Sequence, residues 1–92
     1  TVDLVDGHGV FQGGAIAPGL GLMLGAMHQG APSLPAIEPP RSGADVAALG
    51  DERVRGAIGR GTRQAMLLGA LNAVRGLVRY QVERFAEATG SY

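Results

Sequence analysis

Residues 62–88 read as one uninterrupted helix, and a chain of 92 residues that commits so much of its length to a single helix has few ways to fold. Thr62 follows the break Gly59-Arg60-Gly61, and Gly90 supplies the stop signal at the far end. Leu67, Leu71, Val74, Val78 and Phe85 recur at helical spacing, with Asn72, Arg75, Arg79 and Glu83 as the polar stripe opposite. Arg79 and Glu83 form an i,i+4 pair. The first half, residues 65–71, is apolar all round, so the pattern predicts burial on every side. A chain this short buries only about two-thirds of its surface and can hardly enclose such a segment. Cover from a second subunit or from further chain is expected. The chain also starts inside a strand pattern at Thr1 without a Met and stops at Tyr92 just past a helix, which reads as a fragment.

The remainder divides into a hairpin, a shorter helix and a loop. Residues 1–5 alternate polar with apolar, the period of a half-buried strand. The Gly-containing turn Asp6-Gly7-His8-Gly9 and then Val10-Phe11 predict a hairpin return. Residues 13–17 continue that second strand with almost no side-chain bulk, which lets another backbone, a helix or a ligand approach closely. Pro18 suits a first helical position and predicts a helix to about Gln29, with Leu20, Met23, Leu24 and Met27 as its apolar stripe. Pro32, Pro35, Pro39 and Pro40 mark residues 30–50 as a loop, with a short helical turn expected over residues 44–49.

Composition removes whole function classes. There is no Cys, which excludes a disulfide framework, a thiol nucleophile and Cys-based metal sites. All eight basic residues are Arg, so a Walker A lysine and Schiff-base chemistry are excluded as well. A hydrophobic fraction of 46% is too high for disorder. Zero net charge argues for neither nucleic acid nor an anionic membrane as partner. That balance hides an asymmetry: residues 1–52 carry six acids against Arg41 alone, whereas residues 53–92 carry seven Arg against Glu83 and Glu87. Either the halves pack on one another or the second half meets an anion. The most apolar stretch, residues 13–27, holds five Gly and Pro18 and is too short to span a bilayer. Asp3 and Asp6 stand where a signal peptide needs a positive flank, so a soluble, cytoplasmic protein is expected.

Few residues remain to carry chemistry. His8 and His28 have no second ligand at helical spacing, so no metal site is assigned. Ser33, Ser42 and Ser91 lie in loops or the tail, and none is in a nucleophile elbow. Asp3 and Asp6 are either a carboxylate pair or, for Asp6, an ordinary turn acid. Gly59-Arg60-Gly61-Thr62 places free amides, a hydroxyl and the positive end of a helix around one point, with Arg60 and Arg63 beside it. On spacing alone the default reading is an ordinary N-cap after a flexible loop; a phosphate or carboxylate would also fit there.

The run Gly13-Gly14-Ala15-Ile16-Ala17-Pro18-Gly19-Leu20 follows Thr1-Val2-Asp3 and precedes a stretch ending Leu34-Pro35. Downstream come Gly59-Arg60-Gly61-Thr62-Arg63-Gln64-Ala65-Met66, Gly69-Ala70 and Arg75-Gly76-Leu77. In this order and spacing the chain resembles the second domain of type III pantothenate kinases across nearly all of its length. The Gly-Gly-x-Ile-x-Pro-Gly run is the specific part. A loop over residues 37–57 longer than the family's, and Ala31-Pro32 where Thr-Ala is common, are the departures.

The resemblance implies an α/β fold in which residues 1–92 are a partial C-terminal ribonuclease-H-like domain of the acetate-kinase, sugar-kinase and actin superfamily: an N-terminal β-hairpin followed by two main helices. It implies a homodimer that transfers the γ-phosphoryl of ATP to pantothenate, the first step of coenzyme A synthesis, with Mg²⁺ and a monovalent cation, K⁺ or NH₄⁺. The family's phosphate loop, catalytic Asp and Asp-x-Gly-Thr motif would precede Thr1, and its adenosine-side Thr-Gly-Gly would follow Tyr92. No catalytic, cofactor-binding or metal residue therefore falls within the chain, and the one family position that maps here is the substrate-side threonine, Thr62. The alternative reading is a non-catalytic accessory or dimerisation module of the same family. A different phosphotransferase of the superfamily also stays open.

Overall fold

The computed structural model describes residues 1–42 and 58–90, arranged as β1 (Val2–Val5), β2 (Phe11–Ala15), α1 (Leu20–Gly30) and α2 (Thr62–Thr89). The strands form an antiparallel hairpin, with Val2 opposite Ala15, Asp3 opposite Gly14 and Leu4 opposite Gly13. The register then slips, so that Val5 faces Phe11 and Gln12 is the extra residue of a bulge. Gly13 takes φ 112° there, a conformation that a side chain would strain. The near absence of bulk in β2 has a local cause. A Cβ at Gly14 would come within 2.8 Å of Asp3 Cα and strike the Val2 carbonyl, so the backbone that approaches closely here is β1 itself.

Asp6 builds the turn between the strands. Its carboxylate accepts the backbone N–H of His8 at 2.8 Å and of Val10 at 3.0 Å on one oxygen, and the Gln12 amide at 2.8 Å on the other. Its own N–H donates to the Val10 carbonyl, and its carbonyl accepts from Gly9, both at 3.0 Å. The bulge at Gln12 thus carries an amide back to the acid that closes the loop. An Asp at the first turn position does this because its short side chain reaches the amide two residues on.

The second strand ends at Ala15, two residues sooner than the apolar run predicts, and Pro18 is not at the first helical position. Gly19 is extended, at φ −81° and ψ 179°, and caps a helix that begins only at Leu20. The predicted stripe of α1 is otherwise correct. Leu24 is fully buried, and Leu20, Met23 and Met27 pack around it. Beyond α1 the chain folds back along the helix, Leu34 and Ile37 join the same cluster, and the His28 Nδ1–H donates to the Leu34 carbonyl at 2.6 Å. The helical turn expected over residues 44–49 lies outside the described residues.

The long helix runs from Thr62 to Thr89 and stops at Gly90, in the left-handed conformation that the sequence anticipates. The Thr89 hydroxyl bonds the Phe85 carbonyl at 2.8 Å in the last turn. Its buried line differs from the expected one. Met66 and Ala70 face Leu24, whereas Val78 is 42% exposed. This chain by itself covers the first half of the helix on one side: Leu67, Leu68 and Leu71 are half-buried, and Ala65, Gly69 and Ala73 are open. Leu24 reaches α2 through a small residue, so the seam follows Ala70 and not the larger side chains beside it. Arg79 and Glu83 stand 3.9 Å apart, exposed, and contribute little. Among the described residues no helix is long and apolar enough to cross a membrane.

The amides of Val10 and His8, and then Gln12, hold the Asp6 carboxyl below its ordinary value of 3.8. A lowered folded pKa contributes stability above the unfolded value that is lost as pH falls through the folded one. Thermal unfolding of the native protein and of Asp6→Asn should therefore differ most at neutral pH and converge in acid well below pH 3.8.

Candidate functional site

Thr62 is the first residue of α2, and the N-cap is Gly61, at φ −127° and ψ 164°. This corrects the reading of Thr62 as an N-cap. The residue is already inside the helix, no side chain caps this terminus, and no partner within the protein occupies its exposed hydroxyl among the described residues. The first intrahelical bond runs from the Ala65 N–H to the Gly61 carbonyl at 2.8 Å, which leaves the preceding amides without a helical acceptor. No acidic residue occupies the first turn, so nothing from the helix itself answers its positive end. Arg60 and Arg63 flank Thr62 in sequence, and both are exposed.

The approach to this terminus is fixed at two points. Gly59 lies against the first turn so closely that a Cβ there would meet Ala65 at Cβ and N, each at 2.8 Å. The Arg60 N–H donates to Gln64 Oε1 at 3.1 Å, across Gly61, Thr62 and Arg63. Gln64 is the residue that sequence reasoning missed. It stands three places after the N-cap, where a Gln or Glu returns to the entering backbone, and that spacing was available in Gly61-Thr62-Arg63-Gln64.

The other candidates do not gather here. The His8 backbone is engaged by Asp6, and His28 turns toward the strap behind α1. Asp3 accepts the Thr1 hydroxyl at 2.8 Å, while Asp6 is committed to the turn, so the two do not act as a carboxylate pair. Both line a cleft of about 770 Å³ between the hairpin and the last turns of α2, with Val82 and Phe85 opposite. That cleft is at the other end of α2 from Thr62. Ser33 is exposed in the turn after α1, and Ser91 lies outside the described residues. Among the described residues no three His, Cys, Asp or Glu side chains assemble as a metal site.

What the fold defines is a small α/β unit in which the long helix presents an open N-terminus. Comparison with known proteins makes the class specific. The family profile for type III pantothenate kinase matches residues 1–84. A type III pantothenate kinase of Paramagnetospirillum magneticum is 40% identical over 91 residues, 99% of this chain and 30% of the relative. Those of Rhodospirillum rubrum and Methylacidiphilum infernorum are 37% and 33% identical, over 99% and 98% of the chain and 31% and 29% of their own lengths. The chain belongs to the type III pantothenate kinase family, and it spans about three-tenths of the curated relatives it matches. No solved structure gives a significant match.

The seat of Gly59 gives a direct test of this geometry. Gly59→Ala forces a methyl group against the backbone of Ala65, which cannot retreat without unwinding the turn. Destabilisation of about 1–3 kcal/mol, the usual range for overpacking, is expected in thermal or urea unfolding.

Proposed function

We propose that the whole protein phosphorylates pantothenate with ATP to give 4′-phosphopantothenate, the first committed step toward coenzyme A, and that this chain supplies part of its second, ribonuclease-H-like domain. ATP, Mg²⁺ and a monovalent cation belong to that reaction. In the transfer, the pantothenate hydroxyl oxygen bonds to the γ-phosphorus as the bond to the leaving ADP oxygen breaks. The hydroxyl proton passes to a base outside this chain. Positioning and charge stabilisation carry such a reaction, since the phosphoryl group itself asks little covalent chemistry of the protein.

Within the described residues the role we assign is substrate binding at Thr62. The observation that supports it is the unengaged hydroxyl at the first position of a helix whose opening turn contains no acid. Pantothenate ends in a carboxylate, and a helix N-terminus offers that group oriented amides and a positive potential. Arg60 and Arg63 add long-range attraction without needing to touch it. Thr62→Val preserves shape and removes the donor. A lost hydrogen bond to a charged group corresponds to about ten- to a hundredfold in affinity, so the KM for pantothenate should rise at least about tenfold. The KM for ATP should change by less than about threefold, and the melting temperature should hardly move, because Thr62 caps nothing.

A homodimer is the second element of the proposal. A groove of about 280 Å³ between α1 and α2 is lined almost wholly by apolar atoms, from Met23, Ala26, Met27, Gly69, Ala70 and Ala73. A Cβ at Gly69 would touch nothing, so the helix can be approached closely there. Gly69→Arg raises helix propensity while placing a charge on this face. Sedimentation of the full-length variant should show monomer where the native protein shows dimer; an unchanged dimer would place the interface elsewhere.

A further inference from the structure

We infer that Gln64 is a positioning residue for substrate binding, acting on Thr62 through the backbone of Arg60. The inference rests on the assignment of Thr62 to pantothenate. The bond from the Arg60 N–H to Gln64 Oε1, 3.1 Å long, closes a ring over Gly61, Thr62 and Arg63. All three linking residues are exposed, Arg63 among them, and poorly restrained by themselves. Gly61 has no side chain and a Cβ built on it would meet nothing, while Thr62 is exposed and has no cap to hold it. The far side of the loop is anchored by a different device, the seat of Gly59 on Ala65. With Gly59 fixed from below and Arg60 tied from above, the amide of Gly61 and the amide and hydroxyl of Thr62 are held at the helix end before a substrate arrives.

The chemistry of the residue matters. A carboxamide oxygen accepts the Arg60 amide without adding negative charge to a terminus that has to receive a carboxylate. Glu in this position would accept the same bond and cap the helix better, yet it would set a like charge beside the ligand. Gln therefore orders the loop while leaving the helix end free for an anion. This separates Gln64 from the usual capping residue, whose gain is stability alone.

The test is a cycle of Gln64→Met, Thr62→Val and the double variant in the full-length protein. Met matches Gln in length and helix propensity and lacks the acceptor. Loss of one ordering hydrogen bond should raise the KM for pantothenate about three- to tenfold in Gln64→Met. The value of kcat and the KM for ATP are expected to stay within about twofold. The double variant should bind pantothenate no worse than Thr62→Val, because coupled residues are not additive. Amide exchange at Arg60 should quicken in Gln64→Met with or without substrate. If Thr62→Val raises KM and Gln64→Met lowers only the melting temperature, or if the two effects multiply, Gln64 is a structural residue and the inference fails while the reading of Thr62 stands. If Thr62→Val leaves KM unchanged, both fail. An Arg60 amide that exchanges at the native rate in Gln64→Met likewise overturns the inference.

Discussion

Leu24 of α1 packs against Met66 and Ala70 of α2, and these three are the buried residues of the described chain. Everything else is arranged around that contact. It fixes which face of α2 turns inward, and so the direction in which the first turn of α2 opens. It also recruits the strap after α1, whose Leu34 and Ile37 lie on the same cluster. A core of this size leaves little surplus over chain entropy. The local devices, namely the Asp6 turn, the Gly90 stop and the Gln64 tie, accordingly matter more here than they would in a large domain.

The placement of Thr62 follows from the same contact. Met66, one turn further along α2, is held in the core, so the helix end is anchored from below while its amides remain open above. Rigid support beneath and an open terminus above is the arrangement that a positioned anion needs, because little has to be ordered on binding. The neighbourhood is basic where the hairpin is acidic. Arg60 and Arg63 stand at one end of α2, while Asp3 and Asp6 lie at the other, beside the turns that also carry Arg79 and Arg84.

The open apolar surface has a physical consequence. Ile16 is 90% exposed, and Phe11, Val5 and Leu22 each expose more than half of their area. Contiguous apolar surface of this kind is what contacts with other protein surfaces cover. The groove over Gly69 and Ala73 is of the same kind, and its small residues permit close approach.

Local rules were enough for much of this. The long helix, its stop at Gly90, the apolar stripe of α1, the hairpin and the family itself were all legible, because periodicity, punctuation and a distinctive glycine run are properties of short segments. Three features were not. The helix register was misread at Val78 because spacing gives a face but not the neighbour that will choose it; Leu24 chose the line through Met66 and Ala70. Pro18 is expected two residues too far in because its fixed φ suits a helix start, whereas the extended Gly19 decides that the helix begins at Leu20. Thr62 kept two readings in the sequence, cap or ligand group, since a hydroxyl at a helix opening serves either. Only the folded backbone, with Gly61 as the cap and Gln64 tied back to Arg60, removed the first. Sequence by itself determined the elements and the family, through interactions between residues close along the chain. The tertiary structure decided which faces meet, because that depends on contacts between residues far apart in sequence, and the folded backbone of residues 59–65 decided which donors are left free.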